Sequence, residues 1–130
     1  MNDDIAAALA PVLRDLETTC AVRPDVREET DHEGEAYVAL YEPDGSGAGL
    51  VVRFGASTAE LTADFADQAQ DWAVEALCSA GKPAVWPECP AHPDSHPLAA
   101  GVVRGVAVWS CPRTRRVVRP VGEPGGDISS

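Results

Sequence analysis

W-P-E-C-P-A-H-P-D-S-H-P-L at residues 86–98, followed by V-A-V-W-S-C-P at 106–112, is where the chain stops reading as ordinary helix and strand. Cys89, His92, His96 and Cys111 stand here, the first and last of them bounding 23 residues. Thiolate and imidazole are the ligand types zinc prefers, and four of them fill a tetrahedral shell. The two-residue gap between Cys89 and His92 lets successive ligands wrap one ion, and Pro90 stiffens the turn, so less entropy is lost on binding. Cys111 closes the set from a distant hairpin. Trp86 and Trp109 precede the two cysteines and would keep water from a thiolate site. His96 is the softest ligand, with Asp94 or a water as its alternative. Two readings without metal stay open: free cysteines and solvated histidines in a Pro-rich loop, or a Cys89–Cys111 disulfide.

Outward from this stretch, the expected fold is α+β: a helix, a three-stranded antiparallel meander, a long helix, then a small zinc-ribbon-like β-hairpin module. The corresponding domain reading is an α-βββ-α body over 1–82, the zinc-binding hairpin module packed on it over 83–119, and a disordered tail over 120–130. Its 130 residues suit one compact domain. Ile5, Leu9, Val12, Leu13 and Leu16 recur at helical spacing over 3–18, with Asn2 or Asp3 as cap and Pro11 as an expected kink or restart. Period-two segments at 22–28, 36–41 and 48–54 give the meander, with Pro-Asp-Gly at 43–45 marking a hairpin turn. Pro24 confines the first strand to an edge.

Residues 57–80 form the best helix, opened by a Ser57/Glu60 capping box and closed by Gly81 in a left-handed conformation. Leu61, Phe65, Ala69, Trp72, Ala76 and Leu77 make its apolar face, and Asp64, Asp67, Asp71 and Glu75 a solvated one. Two strands, 102–109 and 115–119, are expected around Cys111. The large core anchors are Phe54, Phe65, Trp72, Trp86 and Trp109, and Cys20 and Cys78 read as buried thiols near helix ends.

The net charge is −11, unevenly spread: residues 1–88 carry −13, residues 89–119 carry +4. The acidic body argues against nucleic acid and anionic membranes, which require a basic field. Arg104, Arg113, Arg115, Arg116 and Arg119 are the counter-argument, but half or more of them are expected to pair with the acidic helix face. The acidic N-terminus lacks the features of a leader, no apolar run reaches membrane-span length, and the expected location is the cytoplasm, where four cysteines favour metal or free thiols over disulfides.

The phrase formed by Trp86, Pro87, Cys89, Pro90 and His92, then His96-Pro97-Leu98, then Gly105, Ala107, Val108, Trp109, Cys111 and Pro112 resembles that of small uncharacterised proteins of high-GC actinobacteria. There it forms a C-terminal metal-binding segment. The resemblance spans roughly the last third of the chain, supports the ligand set and implies no activity.

The favoured function is a small protein with structural Zn2+, acting as a protein-binding or adaptor module with an unknown protein partner. One alternative is a secretion-chaperone-like dimer that holds a partner chain, by analogy of element order alone. The other is a zinc-dependent hydrolase with an open coordination position and Glu88 or Asp94 as general base. Against it, the chain has no H-E-x-x-H, no H-x-E paired with P-C-x-x-C, no G-x-S-x-G and no phosphate-binding glycine loop.

Overall fold

The computed structural model describes residues 3–92 and 95–123. The elements follow in the order α1 (Asp3–Thr19), β1 (Asp25–Thr30), β2 (Ala36–Tyr41), β3 (Gly47–Gly49), α2 (Thr58–Ser79), β4 (Ala99–Val103), β5 (Val106–Ser110) and β6 (Val117–Pro120). Two antiparallel sheets result, β1-β2-β3 and β4-β5-β6. The α+β order is the expected one. Among the described residues no helix is long and apolar enough to cross a membrane.

The helix α2 forms as its punctuation dictates. Ser57 accepts from the Glu60 amide while the Glu60 carboxylate accepts from the Ser57 amide, so both arms of the capping box are made. At the other end Gly81, at φ +70°, donates to Cys78 and Lys82 donates to Leu77, the paired bonds of a Schellman close. All six residues of the predicted apolar face are buried. In α1 the helix runs unbroken through Pro11, without a restart. Asn2 lies outside the described residues. Small residues bring the helices together: Ala8, Ala66 and Ala69 are fully buried, and the Thr62 hydroxyl donates to the Ala8 carbonyl at 2.9 Å.

β1 is an edge strand, as expected, but it begins after Pro24 instead of running over 22–28, and it pairs Asp25–Thr30 against Tyr41–Ala36. β3 is shorter than the expected 48–54. After Leu50 the chain leaves the sheet, and Phe54, expected as a core anchor, is 100% exposed. It lies in the turn before the α2 cap. Cys78 is also exposed instead of buried, because it falls in the last turn of α2 on the solvent side, while Cys20 is buried and its thiol is pushed up by that burial.

The second sheet corrects the expected two-strand hairpin. The run 102–109 is two strands, not one, folded back at Arg104-Gly105 with φ +52° and +77°. Positive φ at both central residues defines the turn that matches strand twist, and Val103 pairs directly with Val106 across it. Nor does the tail begin at 120. Pro120 ends β6, Val121 is buried, and Gly122 lies against α1, where a Cβ would come within 2.5 Å of Pro11. Residues 124–130 lie outside the described residues.

The two sheets and two helices share one apolar cluster that includes Leu9, Leu40, Phe65, Trp86, Leu98 and Trp109. Thr62 and Arg119 are buried beside it, and one charged residue, Asp15 on α1, is buried completely. Oδ2 accepts from Trp109 Nε1 and from the Gly122 amide, each at 2.8 Å, while Oδ1 has no partner. One turn further on, Thr19 Oγ1 accepts from Trp86 Nε1 at 2.9 Å. Both tryptophans of the candidate metal segment are therefore pinned to α1.

Burial raises the Asp15 pKa above its ordinary 3.8, against the lowering effects of the Trp109 bond, the Gly122 bond and the nearby Arg119 and Arg14. A carboxyl with a raised folded pKa binds its proton more tightly when folded. Its stabilising contribution is complete below the unfolded pKa and is lost as pH rises through the folded one. Asp15→Asn keeps an acceptor for Trp109 and Gly122 without a charge, so urea denaturation across pH 4.5–8 should show wild type losing stability relative to the variant as pH rises. Trp109→Phe, which leaves the carboxylate one donor short, should cost about 2 kcal/mol in the same measurement at neutral pH.

Candidate metal centre

Two short loops carry the four side chains. The first, from Cys89 to His96, is closed at its base by an antiparallel bridge between Glu88 and Pro97 and by the Leu98 amide donating to the Pro87 carbonyl at 2.8 Å. Gln70, from α2, braces that base by donating to the carbonyls of Trp86 and Leu98. Within the loop the His92 amide donates to the Cys89 carbonyl at 3.0 Å, a turn that places both side chains on one side. Asp94, the alternative fourth ligand, lies outside the described residues.

The second loop, Cys111–Arg116, joins β5 to β6. The Cys111 amide donates to Arg116 and the Arg115 amide donates to the Cys111 carbonyl, at 2.9 and 2.7 Å, with Arg115 at φ +63°. That tight return leaves the Arg113 and Thr114 amides, and the Thr114 hydroxyl, directed at the Cys111 sulfur. Thr114, which the sequence does not single out, is a hydrogen-bond donor to the Cys111 sulfur.

The loops bring all four residues together. The ligand atoms lie within 4.8 Å of one another, with Cys89 and Cys111 buried and the two histidines half-buried. His92 Nδ1 is 3.6 Å from Cys89 Sγ and 3.7 Å from Cys111 Sγ, and His96 Nε2 is 3.9 Å from Cys111 Sγ. A tetrahedral ion with ordinary zinc–sulfur and zinc–nitrogen bonds sets sulfur and nitrogen about 3.6 Å apart, so the donors already sit near a coordination shell. The Cys₂His₂ cluster can hold a metal ion.

Surrounding groups prepare these donors. Pro97 O lies 3.1 Å from His96 Nδ1, and a carbonyl only accepts, so Nδ1 carries a proton and the neutral ring presents its Nε2 lone pair toward Cys111. This is the orientation a metal-ligating imidazole needs. The Thr114 hydroxyl first, then the amides of Thr114 and Arg113, pull the Cys111 thiol down from 9.0 to about 6 against the opposing effect of desolvation. Behind the sulfurs Trp86 and Trp109 meet edge to face, ring centroids 5.6 Å apart, in the apolar cluster that also contains Cys89 and Cys111. All four cysteines are unpaired.

The other candidate residues lie elsewhere. Glu88 is exposed at the bridge. Arg104, Arg113, Arg115 and Arg116 are exposed, and the expected pairing of this group with the acidic face of α2 is not found among the described residues. Arg53 makes that pair instead, on Asp64 at 2.9 Å, while Arg119 is buried near Asp15. Compared with protein-family models, with curated proteins and with solved structures, the chain finds no match.

Thr114→Val removes the hydroxyl donor and leaves the two amides in place. In metal-free protein, the rate of Cys111 alkylation against pH should rise around pH 6 in wild type, and its midpoint should move upward in the variant.

Proposed function

We propose that Cys89, His92, His96 and Cys111 bind one Zn2+ in a closed site, and that the protein is a binding or adaptor module whose fold this ion completes. One observation carries the reading: two sulfurs and two imidazole nitrogens, from two separate loops, lie within 4.8 Å of one another. Four protein ligands leave zinc no open position, which is the arrangement of structural and not catalytic sites. When bound, the ion supplies cross-linking and charge neutralisation for two buried thiolates.

The magnitude matters. Structural zinc in small modules contributes about 10–16 kcal/mol at neutral pH, comparable with the whole stability of a domain of this size. Because the ligand loops adjoin Trp86 and Trp109, whose indoles are bonded to α1, metal binding acts on the shared core and not on a detached appendage. The unpaired thiols suit a reducing compartment, which supports a cytoplasmic location. A binding role is supported by the contrast between the acidic body and the exposed arginines of the metal-bearing sheet, and by Phe54 standing fully exposed.

Purified protein should contain one zinc per chain and lose cooperative unfolding when the ion is removed by a chelator. Substitution by Co2+ should give the intense visible bands of a tetrahedral S₂N₂ site, with no exchangeable water on the ion. His96→Ala should weaken metal binding and shift those bands, whereas Glu88→Gln should leave them unchanged. A stoichiometric metal with a bound water in the wild type overturns the closed site.

A further inference from the structure

β3 has an edge with unused pairing capacity. The Leu50 amide donates to Val38 at 2.8 Å and the Glu42 amide donates to Ser46 at 2.7 Å, in a register that pairs Ala39 with Gly49 and Tyr41 with Gly47. In an antiparallel ladder this phase directs the backbone groups of 46, 48 and 50 toward β2 and those of 47, 49 and 51 away from it. At Val51 both outward groups are taken by one side chain: Gln68 Oε1 accepts from the amide at 2.7 Å and Nε2 donates to the carbonyl at 2.9 Å. Gln68 thus does for Val51 what a neighbouring strand would do. Gly47 and Gly49 share the outward phase, are exposed, and line a cleft of about 460 Å³ between β3 and α2.

The rest of the cleft has a definite chemistry. Glu42, Asp71 and Glu75 line it, and among the described residues none of the three forms an ion pair with a basic side chain. Trp72 lines it as well; the residue is 4% exposed and its Nε1–H is buried without an acceptor. A Cβ at Gly47 would lie 2.5 Å from the Tyr41 ring, which leaves no room for a side chain there, and one at Gly49 would lie 3.3 Å from Tyr37, whose ring would have to give by a few tenths of an ångström.

We propose that this cleft is a docking site for an extended, basic peptide segment of a partner protein, which adds to the outer edge of β3 as a further strand. Main-chain bonds to Gly47 and Gly49 supply the pairing, and Lys or Arg side chains meet Glu42, Asp71 and Glu75. A second copy of the chain is disfavoured as occupant because each copy carries −11. The proposal rests on the binding-module reading and not on the metal.

The test uses the full zinc-loaded chain and the peptide Thr-Lys-Val-Arg-Val-Lys-Thr, with a control peptide bearing Glu at the three basic positions. Titration followed by NMR should move the amides of Gly47 and Gly49 and the Trp72 indole signal, and added salt should weaken the binding. Asp71→Lys combined with Glu75→Lys, both exposed positions, should leave the rest of the spectrum unchanged and reduce affinity by about tenfold or more. Shifts that map elsewhere, equal binding of the acidic control, or unchanged affinity in the double variant overturn the proposal. So do concentration-dependent shifts at Gly47 and Gly49 without peptide, which would put a second copy in the cleft. Metal content is measured on the same sample: full zinc with no peptide binding rejects the cleft alone, and peptide binding with no zinc rejects the metal site alone.

Discussion

Two indole N–H groups fasten the half of the chain that carries the candidate ligands to α1, and most of the remaining architecture follows from them. Trp109 reaches Asp15 and Trp86 reaches Thr19, two acceptors one helical turn apart on the same face. Asp15 also takes the Gly122 amide, so β5, the segment after β6 and the helix meet at one buried carboxylate. An uncompensated buried charge is costly, and this one is held by two donors with Arg119 and Arg14 nearby. The cost is accepted at the point where the first helix and the last sheet must find each other across a separation of 94 residues.

That anchoring explains why the ligand cluster is so close to complete from the protein alone. With Trp86 fixed, the chain enters the first loop at a defined place. The Glu88–Pro97 bridge and Gln70 then close the base of that loop, and His96 is turned toward Cys111 by the carbonyl of its own neighbour. With Trp109 fixed, Cys111 follows two residues later into a turn whose amides and hydroxyl face its sulfur. His96 and Cys111 are each oriented by an interaction outside the ligand set, the pattern by which proteins tune metal affinity beyond the choice of ligands. The acidic cleft beside β3 lies on the other sheet, so the proposed metal and peptide sites occupy separate elements of one core.

Much of this was legible in the sequence. The ligand residues, the capping box of α2 and its glycine close, the buried stripe of that helix, and the edge position of β1 are all local consequences of residue type and spacing, and they appear where spacing puts them. Asp15 was legible in part: it falls in the stripe of Ala8, Val12 and Leu16, and a carboxylate in such a stripe signals a buried partner. The turn at Arg104-Gly105 was also there to be read, but valines on both sides disguised two strands as one. Thr114 carried no signal of its own, since a hydroxyl three residues after a cysteine acquires meaning only when the backbone curls around the sulfur.

By itself, then, the sequence determined the class of fold, the identity of the four candidate ligands and the acidic body, because these depend on periodicity, capping and side-chain chemistry within short windows. Only the tertiary structure decided that His96 stands beside Cys111, that Phe54 faces solvent, that residues 120–123 pack on α1, and that Gly47 and Gly49 edge an acidic cleft. Each of these depends on which distant segment comes to lie alongside, and local sequence carries no record of that choice. It is made by the shared core and the buried Asp15, where one carboxylate satisfies donors from elements that no short window contains.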